Sequence, residues 1–511
     1  MEHGASCLVK NKYKFFENFL ENQINAYLTI YLTLILALVL SLCLMLIEGS
    51  RQNAFYMEAE CVTDIGLNSV LAEFHRELLT QYNLFAIDCS YGTAVVRTQN
   101  TGNRLEFYLK KNMSYEDVFL DWLLYRDFLG VELQDVSLQK VRLLTDGNGG
   151  VFRRRAAEAM WDALNLSLLD EWKGWMETID SEQLAERDIA ALKQELDEEL
   201  DDYAYEEEIY VYKKGILETE WVTVSVDNPT DYLEEIRTKG ILSWVVEDVD
   251  ALSTHRINED NLIGTRMELG ECNQGNLTLE DNPQMDEGLE RFLFQEYLLQ
   301  YMGHYQEEKD GHALAYQIEY LLGGRAVDRE NLEYVVDSIF ALREVANTTY
   351  LYANQDKYEL AEGLATLLTT LVGLPEAADV LTQILVLGWA FVESLYDVKS
   401  LLIGGRVPLI KTDDTWHYGL EGALQMGKLN EQVSTEGMSY EDYLRVLLAV
   451  EKQDLLTRRA MNMVEADIRQ LPENHLFRLD GCIDALEACV RVKSVYGYSC
   501  QIVRQKGYST Q

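Results

Sequence analysis

The chain has 511 residues, 8 Cys and only 5 Pro, and 44 Lys+Arg stand against 86 Asp+Glu for a formal net charge of −42. Its 48% hydrophobic content excludes wholesale disorder, and a prior of roughly 100–200 residues per domain predicts two or three folding units. The charge excludes a sequence-blind grip on nucleic acid and disfavours lying flat on an anionic bilayer, while scarce proline points to a helix-rich chain.

Residues 1–25 are expected to be a short tail. From Ala26 to Ile47 the sequence AYLTIYLTLILALVLSLCLMLI holds 22 residues without a charge, a Pro or a Gly. At about 1.5 Å per residue this is roughly 33 Å of helix, enough to cross a hydrocarbon core. A removable signal peptide has a shorter apolar region and a small-x-small cleavage site, so a retained anchor is expected. Lys10, Lys12 and Lys14 precede the run, whereas Arg51 follows it beside Glu48, Glu58, Glu60 and Asp64. The positive-inside rule then puts the N-terminus in the cytoplasm and everything after residue 47 outside, in a single-pass arrangement at the cell membrane.

Residues 51–81 keep an apolar stripe at helical spacing through Phe55, Ala59, Val62, Leu67, Val70, Leu71, Phe74 and Leu78. That predicts a stalk helix continuing from the span, with a kink near Gly66. Tyr82–Asp88 reads as a short strand, closing a stalk region at 48–90. Within 91–286, LEFYL (105–109) reads as a strand, YEDVFLDWLLYRDFL as a helix, and Asp146–Gly150 as a loop. Residues 151–202 read as helical and end in an acidic run, 195–208, expected to be a solvated face. EIYVYK (208–213) and EWVTVSV (220–226) alternate as strands, and Asp227–Thr230 opens a helix to Lys239. The polar stretch 253–290 reads as a linker or surface loop.

Residues 287–511 are read as a helical region with a C-terminal hairpin. Leu381–Leu395 is too short to span and contains Glu393, with Asp397 one turn later, so a buried core helix is expected. MSYEDVFLDWLL (113–124) and MSYEDYLRVLLA (438–449) share a helix-start motif with Ser114 or Ser439 as N-cap. Residues 438–470 read as one long helix, and 482–506 as a helix running into the hairpin. The fold class is therefore α+β and helix-rich, with one N-terminal membrane helix, a stalk, and a large outer domain carrying short β segments.

Six Cys fall after the span: Cys61, Cys89, Cys272, Cys482, Cys489 and Cys500. Three disulfides are compatible with that count in an oxidising compartment, and Cys489 with Cys500 across Tyr496-Gly497-Tyr498 is the preferred pair; ordinary buried thiols are the alternative.

Catalytic signatures are sparse. The sequence has no GxxxxGK[ST], no GxGxxG after a strand, no GxSxG and no HExxH. His304, Glu307, Glu308 and His312 form the best metal candidate, yet a solvated loop is the better expectation, and no cofactor or catalytic residue is assigned. His75 reads as a packing residue on the stalk. In the span, Thr29 and Thr33 share a face with Ala26 and Ala37, a stripe that favours close helix contact in lipid unless the Thr hydroxyls bond back to their own turns. Helix–helix assembly is expected on Ala26, Thr29, Thr33 and Ala37 and on the stalk stripe Phe55, Ala59 and Val62. Glu48 and Arg51 at the exit read as an interfacial anchor or as setting helix register.

The run AYLTIYLTLILALVLSLCLMLIEGSR followed by MEAECVTDIGLNSVLAEFHRELLTQYNLFAID resembles the N-terminal block of TadE/TadG-like bacterial membrane proteins, found with Tad (Flp) pilus gene sets in Gram-positive anaerobes. The matching features are Glu48 and Arg51, Ser69 to Phe74, and Tyr82, Leu84 and Phe85. YQIEYLLGG (316–324), NLEYVVDSIFALREVAN (331–347), residues 388–412 and 438–450 are similar as well, whereas 90–290 match least. Ala26 stands where classical members begin with Gly, and Tyr31 where they hold Glu, which puts prepilin-peptidase processing in question. The resemblance implies a non-catalytic, pseudopilin-like accessory part of a Tad-type assembly, with pilin-like partners. A bitopic sensor or ligand-binding ectodomain is the rival from a different class. A tethered metallohydrolase on His304 and His312 is the third.

Overall fold

The computed structural model describes residues 3–113, 129–163, 165–182, 184, 188–213, 216–266, 277, 285–425 and 435–508. The chain is helix-rich α+β with small sheets. Helix α1 runs from His3 to Leu71, 69 residues. Its apolar part, Tyr27 to Ile47, lies exposed along its whole length and is apolar enough to cross a membrane. Eight residues on, the same helix becomes a packing element, with Phe55, Ala59, Val62, Leu67 and Val70 all buried.

The stalk is unbroken at Gly66, contrary to the expected kink. A Cβ there would lie 2.7 Å from Leu109 Cδ2, so this glycine admits a neighbouring helix, α3 (Thr98–Met113). LEFYL belongs to α3 and is a helix rather than a strand. Leu105 and Leu109, four apart, both face α1 at Gly66, and that contact overrides the strand propensity of the aromatics. Between them lie α2 (Arg76–Tyr82) and the two-residue strand β1 (Ile87–Asp88), so the expected strand is mostly a helix end and a turn. His75 is not on the stalk. It is the N-cap of α2, where Nδ1 accepts from the Leu78 N–H at 3.2 Å.

Strand β2 (Val131–Leu143) leads through Thr145 to α4 (Asp146–Ala159). Gly147, Asn148 and Gly149 take left-handed dihedrals, so the expected loop is a sharp turn before the regular helix. Helices α5 (Leu166–Ser181) and α6 (Ile189–Asp202) follow, then the antiparallel hairpin β3 (Tyr205–Lys213) and β4 (Ile216–Val224), as the alternation predicts. The short helices α7 (Tyr232–Lys239) and α8 (Leu242–Val245) come next.

The described residues 253–266 are a surface loop without regular elements, as one of the two readings expects, with 254–256, 258, 260, 261 and 265 exposed, but the stretch is anchored rather than a free linker. Ile257, Leu262, Leu277 and Met285 are buried, and Arg266 ion-pairs with Glu465 at 2.9 Å and Asp480 at 2.7 Å.

The second half supplies α9 (Glu287–Tyr301), α10 (Gln317–Gly323), α11 (Asp328–Ala353), α12 (Gln355–Leu371), α13 (Ala378–Leu402) and α14 (Leu420–Leu424). After these come α15 (Tyr440–Val450), α16 (Gln453–Gln470), β5 (Cys482–Ser494) and β6 (Ser499–Gly507). Helix α13, the expected core helix, is buried almost throughout and packs against α6, α11 and α12. Ser439 caps α15 in a box with Asp442, as the motif predicts; its counterpart Ser114 lies outside the described residues. The expected long helix 438–470 is two helices, broken at Glu451 and Lys452.

Residues 482–494 are strand, correcting the expected helix. β5 pairs with β2 on one side and with β1 and β6 on the other, so both its edges and both its faces are covered. The alternation that marks an amphipathic strand is thereby erased, leaving the helix-like string CIDALEA. One large apolar cluster reaches from Leu78 through Leu144, Ile179 and Phe294 to Cys482, so the core does not divide at residue 286. A second cluster joins α1, α3 and the sheet.

Candidate functional site

Two features organise the chemistry of this fold: the joint between α1 and the C-terminal hairpin, and a buried ion network between α11 and α13.

At the joint, Glu48 and Arg51 sit one turn apart with 3.5 Å between Oε2 and Nη1. The Tyr498 hydroxyl donates to Glu48 Oε1, and this bond to a carboxylate raises the Tyr498 pKa above its ordinary value. The Arg51 guanidinium stacks 4.4 Å from the centre of the Tyr496 ring. Further along, Arg504 reaches Glu60 at 3.2 Å, Lys506 reaches Asp64 at 3.5 Å and donates to Asn68 at 2.8 Å, and the Tyr508 hydroxyl donates to the Leu71 carbonyl. The segment from Tyr498 to Tyr508, with β6 at its centre, is thus laid along the stalk for roughly six turns. Basic groups of the hairpin meet acidic groups of the helix, a pairing that no local pattern reveals.

This arrangement corrects the expected docking stripe. Phe55 and Ala59 are fully buried and Val62 nearly so, covered by the chain's own sheet and α3, so they have no face left for another helix. Glu48 and Arg51 likewise engage the hairpin turn. Thr29, Thr33 and Ala37 remain exposed on the apolar segment, and Thr33 Oγ1 donates back to the Ile30 carbonyl at 2.8 Å. The Ala26 side chain lies outside the described residues.

The preferred disulfide is also corrected. Cys489 faces Val503 and Cys500 faces Val492, and both thiols are free. The three-residue offset is about 10 Å along a strand and puts the two side chains on opposite faces, beyond the reach of an S–S bond.

His304 and His312 do not converge. The His304 backbone pairs with Glu307, its ring approaches Tyr440, and burial lowers its pKa. His312 Nδ1 lies 2.9 Å from Asp467 Oδ2, and Asp467 also accepts from the Ala313 N–H at 2.6 Å, from Gln317 Nε2 at 2.6 Å and from the Tyr82 hydroxyl. Residues 306–308, 310 and 311 between the two histidines are exposed, as a solvated loop requires, while His312 at the loop's end is clamped to α16 through Asp467.

The acidic pair singled out in the apolar run does find chemistry. Glu393 and Asp397 on α13 are fully buried, with the exposed His417 beside them; one potential ligand atom from each lies within 4.8 Å of the others. The position a cation would take between the carboxylates is held by an ammonium. Lys411 Nζ contacts Glu393 Oε1 and lies 2.6 Å from Asp397 Oδ1. Arg343 on α11 donates from Nε to Asp397 Oδ2 at 3.0 Å, from Nη1 to the Leu409 carbonyl at 2.6 Å and from Nη2 to Asn347 at 2.9 Å.

Glu393 further accepts from the backbone N–H of His417 at 3.0 Å and of Tyr418 at 2.9 Å. Burial pushes the Glu393 carboxyl up, yet the hydrogen bonds and charges of His417, Lys411 and Tyr418 outweigh it and hold it below its ordinary value. Two acids facing one guanidinium and one ammonium make the network self-neutralising, so its donors are spent on structure.

A cleft of about 970 Å³ lies between the left-handed turn and the start of α16, lined by Thr145, Asp146, Asn148, Lys452, Gln453 and Arg458 among others. It escaped sequence reading because its two walls are some 300 residues apart.

A family model described as a family of unknown function, DUF5702, matches residues 219–494, more than half of the chain, and the chain belongs to that family. The match covers the ion network and α16 and ends with β5, at Ser494. No curated protein and no solved structure matches the chain.

Proposed function

We propose that this member of the family is a membrane-anchored, non-catalytic structural or accessory subunit of a surface assembly, pseudopilin-like and working with a Tad-type pilus or secretion apparatus. In this reading the N-terminus is cytoplasmic, the apolar part of α1 spans the cell membrane once, and residues after 47 are outside. The observation that carries it is the continuity of one helix through two environments: Tyr27–Ile47 is wholly exposed, and the same helix is clamped by the chain's own sheet from Phe55 onward. A rigid mount of this kind fixes the outer domain relative to the membrane normal, which suits a part that must be held at one angle. Its exposed apolar face, with Thr29, Thr33 and Ala37, is left for lipid and for neighbouring helices. The resemblance to TadE/TadG-like proteins supplies the pilus context.

The test is to shear surface filaments from source cells, separate them from membranes, probe both fractions, and take an intact mass of the recovered protein. Recovery with filaments or bound to a pilin supports the assembly reading, and the mass reports whether the chain is cut near Ala26. Recovery only in membranes without such partners rejects it. The cleft between Thr145 and Arg458 favours the second reading, a ligand-binding ectodomain, because binding sites are concave with a few convergent polar groups.

A further inference from the structure

We infer that a second, smaller cavity, lying between β2, α4 and α9, binds a phosphate-type oxyanion. The cavity is about 260 Å³, and Arg142, Arg153, Arg154 and Arg155 line it together with Glu290. In a chain of net charge −42, four guanidiniums at one cavity are a local concentration of cationic donors.

The four are not equally occupied. Arg142 is bound to Asp484 through Nε at 2.6 Å and Nη2 at 2.5 Å. Arg155 spans Asp484 and Glu158, at 2.7 and 2.6 Å. Arg154 Nη1 holds Glu290 Oε2 at 2.8 Å. Arg153 makes a single contact, Nε to Glu290 Oε1 at 2.9 Å. Both of its terminal amino groups, and Nη1 of Arg142, have no bond to protein among the described residues. Three carboxylates thus contact four guanidiniums; the nearby Asp146 lines the larger cleft instead, where its Oδ2 accepts from the Leu143 N–H at 2.9 Å.

The free donors have the right chemistry. A guanidinium tied at Nε presents its two amino groups as a planar fork, the geometry that takes two oxygens of a phosphate or sulfate at once. These side chains keep only 11 to 26% of their surface, so water competes weakly for the fork and an anion gains from the low local dielectric. The fixed pairs around it prevent the four cations from repelling one another apart. The bound group is inorganic phosphate or the phosphate of a larger molecule.

The test is calorimetric titration of the full-length protein in neutral detergent, at constant ionic strength and pH 7.5, with inorganic phosphate in one arm and glycerol 3-phosphate in another. Saturable binding of phosphate, with Kd of about 1 mM or tighter, is expected in the wild type. Arg153→Gln should weaken it at least tenfold, and Arg153→Lys, which keeps the charge and loses the fork, about fivefold. Both variants should match the wild-type circular dichroism and melting temperature in phosphate-free buffer, since Arg153 is the least committed of the four.

Equal or tighter binding of glycerol 3-phosphate identifies a phosphate ester as the occupant, whereas binding of inorganic phosphate alone identifies the free ion. Absence of saturable phosphate binding to the wild type overturns the inference, as does an affinity unchanged in Arg153→Gln or matched by acetate.

Discussion

Tyr498, in the turn joining β5 to β6, donates its hydroxyl hydrogen to Glu48 at the exit of the apolar run. The bond joins positions 450 residues apart and brings the end of the chain back to the foot of its own stalk. Behind it Phe55 packs 5.9 Å from the Tyr498 ring, centre to centre, so polar and apolar contacts close the same joint.

If that joint is what makes the mount rigid, its apolar member should dominate. Phe55→Ala empties a fully buried site and is expected to cost about 3–5 kcal/mol. Hydrogen exchange should rise in β5 and β6 in this variant. Thr33→Ala, on the exposed segment, should leave exchange in the sheet unchanged; equal effects from the two would mean that the sheet does not depend on the stalk.

Lys411 between Glu393 and Asp397 predicts a non-additive pair. Lys411→Met leaves two buried acids facing one guanidinium and should cost about 3–5 kcal/mol in denaturant unfolding. Adding Glu393→Met should recover part of that loss, because the remaining Arg343–Asp397 pair is again neutral. A double variant as unstable as the sum of the singles would refute the network as a charge-balanced unit.

Glu319 sets a pH dependence. It is fully buried, its Oε2 has no partner among the described residues, and burial raises its pKa to about 7 despite bonds from the Tyr305 N–H and the Tyr440 hydroxyl. An acid raised on folding favours the native state below its unfolded value, near 4.5, and loses that advantage as pH climbs through the folded value. The loss should amount to roughly 3 kcal/mol between pH 4.5 and 8. Glu319→Gln keeps an acceptor for both bonds, so it should raise the melting temperature at pH 8 and flatten the decline from pH 5. A larger decline in the variant would reverse the sign of this argument.

The thiols offer a check on register. Cys489 and Cys500 should never appear as one linked peptide after mild oxidation and proteolysis, and Cys61, exposed, should take a maleimide before Cys89, Cys482 or Cys489, all buried. A Cys489–Cys500 crosslink would require β6 to slip by three residues.

The wholly exposed helix Tyr27–Ile47, the β3–β4 hairpin and the buried helix around Leu381–Leu395 were legible because each is dictated locally. An uninterrupted apolar run, a period of two and an apolar run with two acids a turn apart each carry their own free energy. Glu393 and Asp397 were flagged as oddities in that run, and their partners Arg343 and Lys411 lie in other segments, so only their presence was readable. β5 was misread for the opposite reason: a strand covered on both faces has no alternation to show.

The sequence by itself determined that this chain has a long apolar helix with an amphipathic continuation, and that the part after it is acidic and helix-rich. Only the tertiary structure decided what covers each face. The stripe Phe55–Ala59–Val62 reads identically whether a second helix or the chain's own sheet buries it, since the hydrophobic effect rewards removal from water and is indifferent to the covering surface. The occupant was chosen by long-range pairings, Tyr498 with Glu48, Arg504 with Glu60 and Lys506 with Asp64, whose partners are more than 400 residues apart.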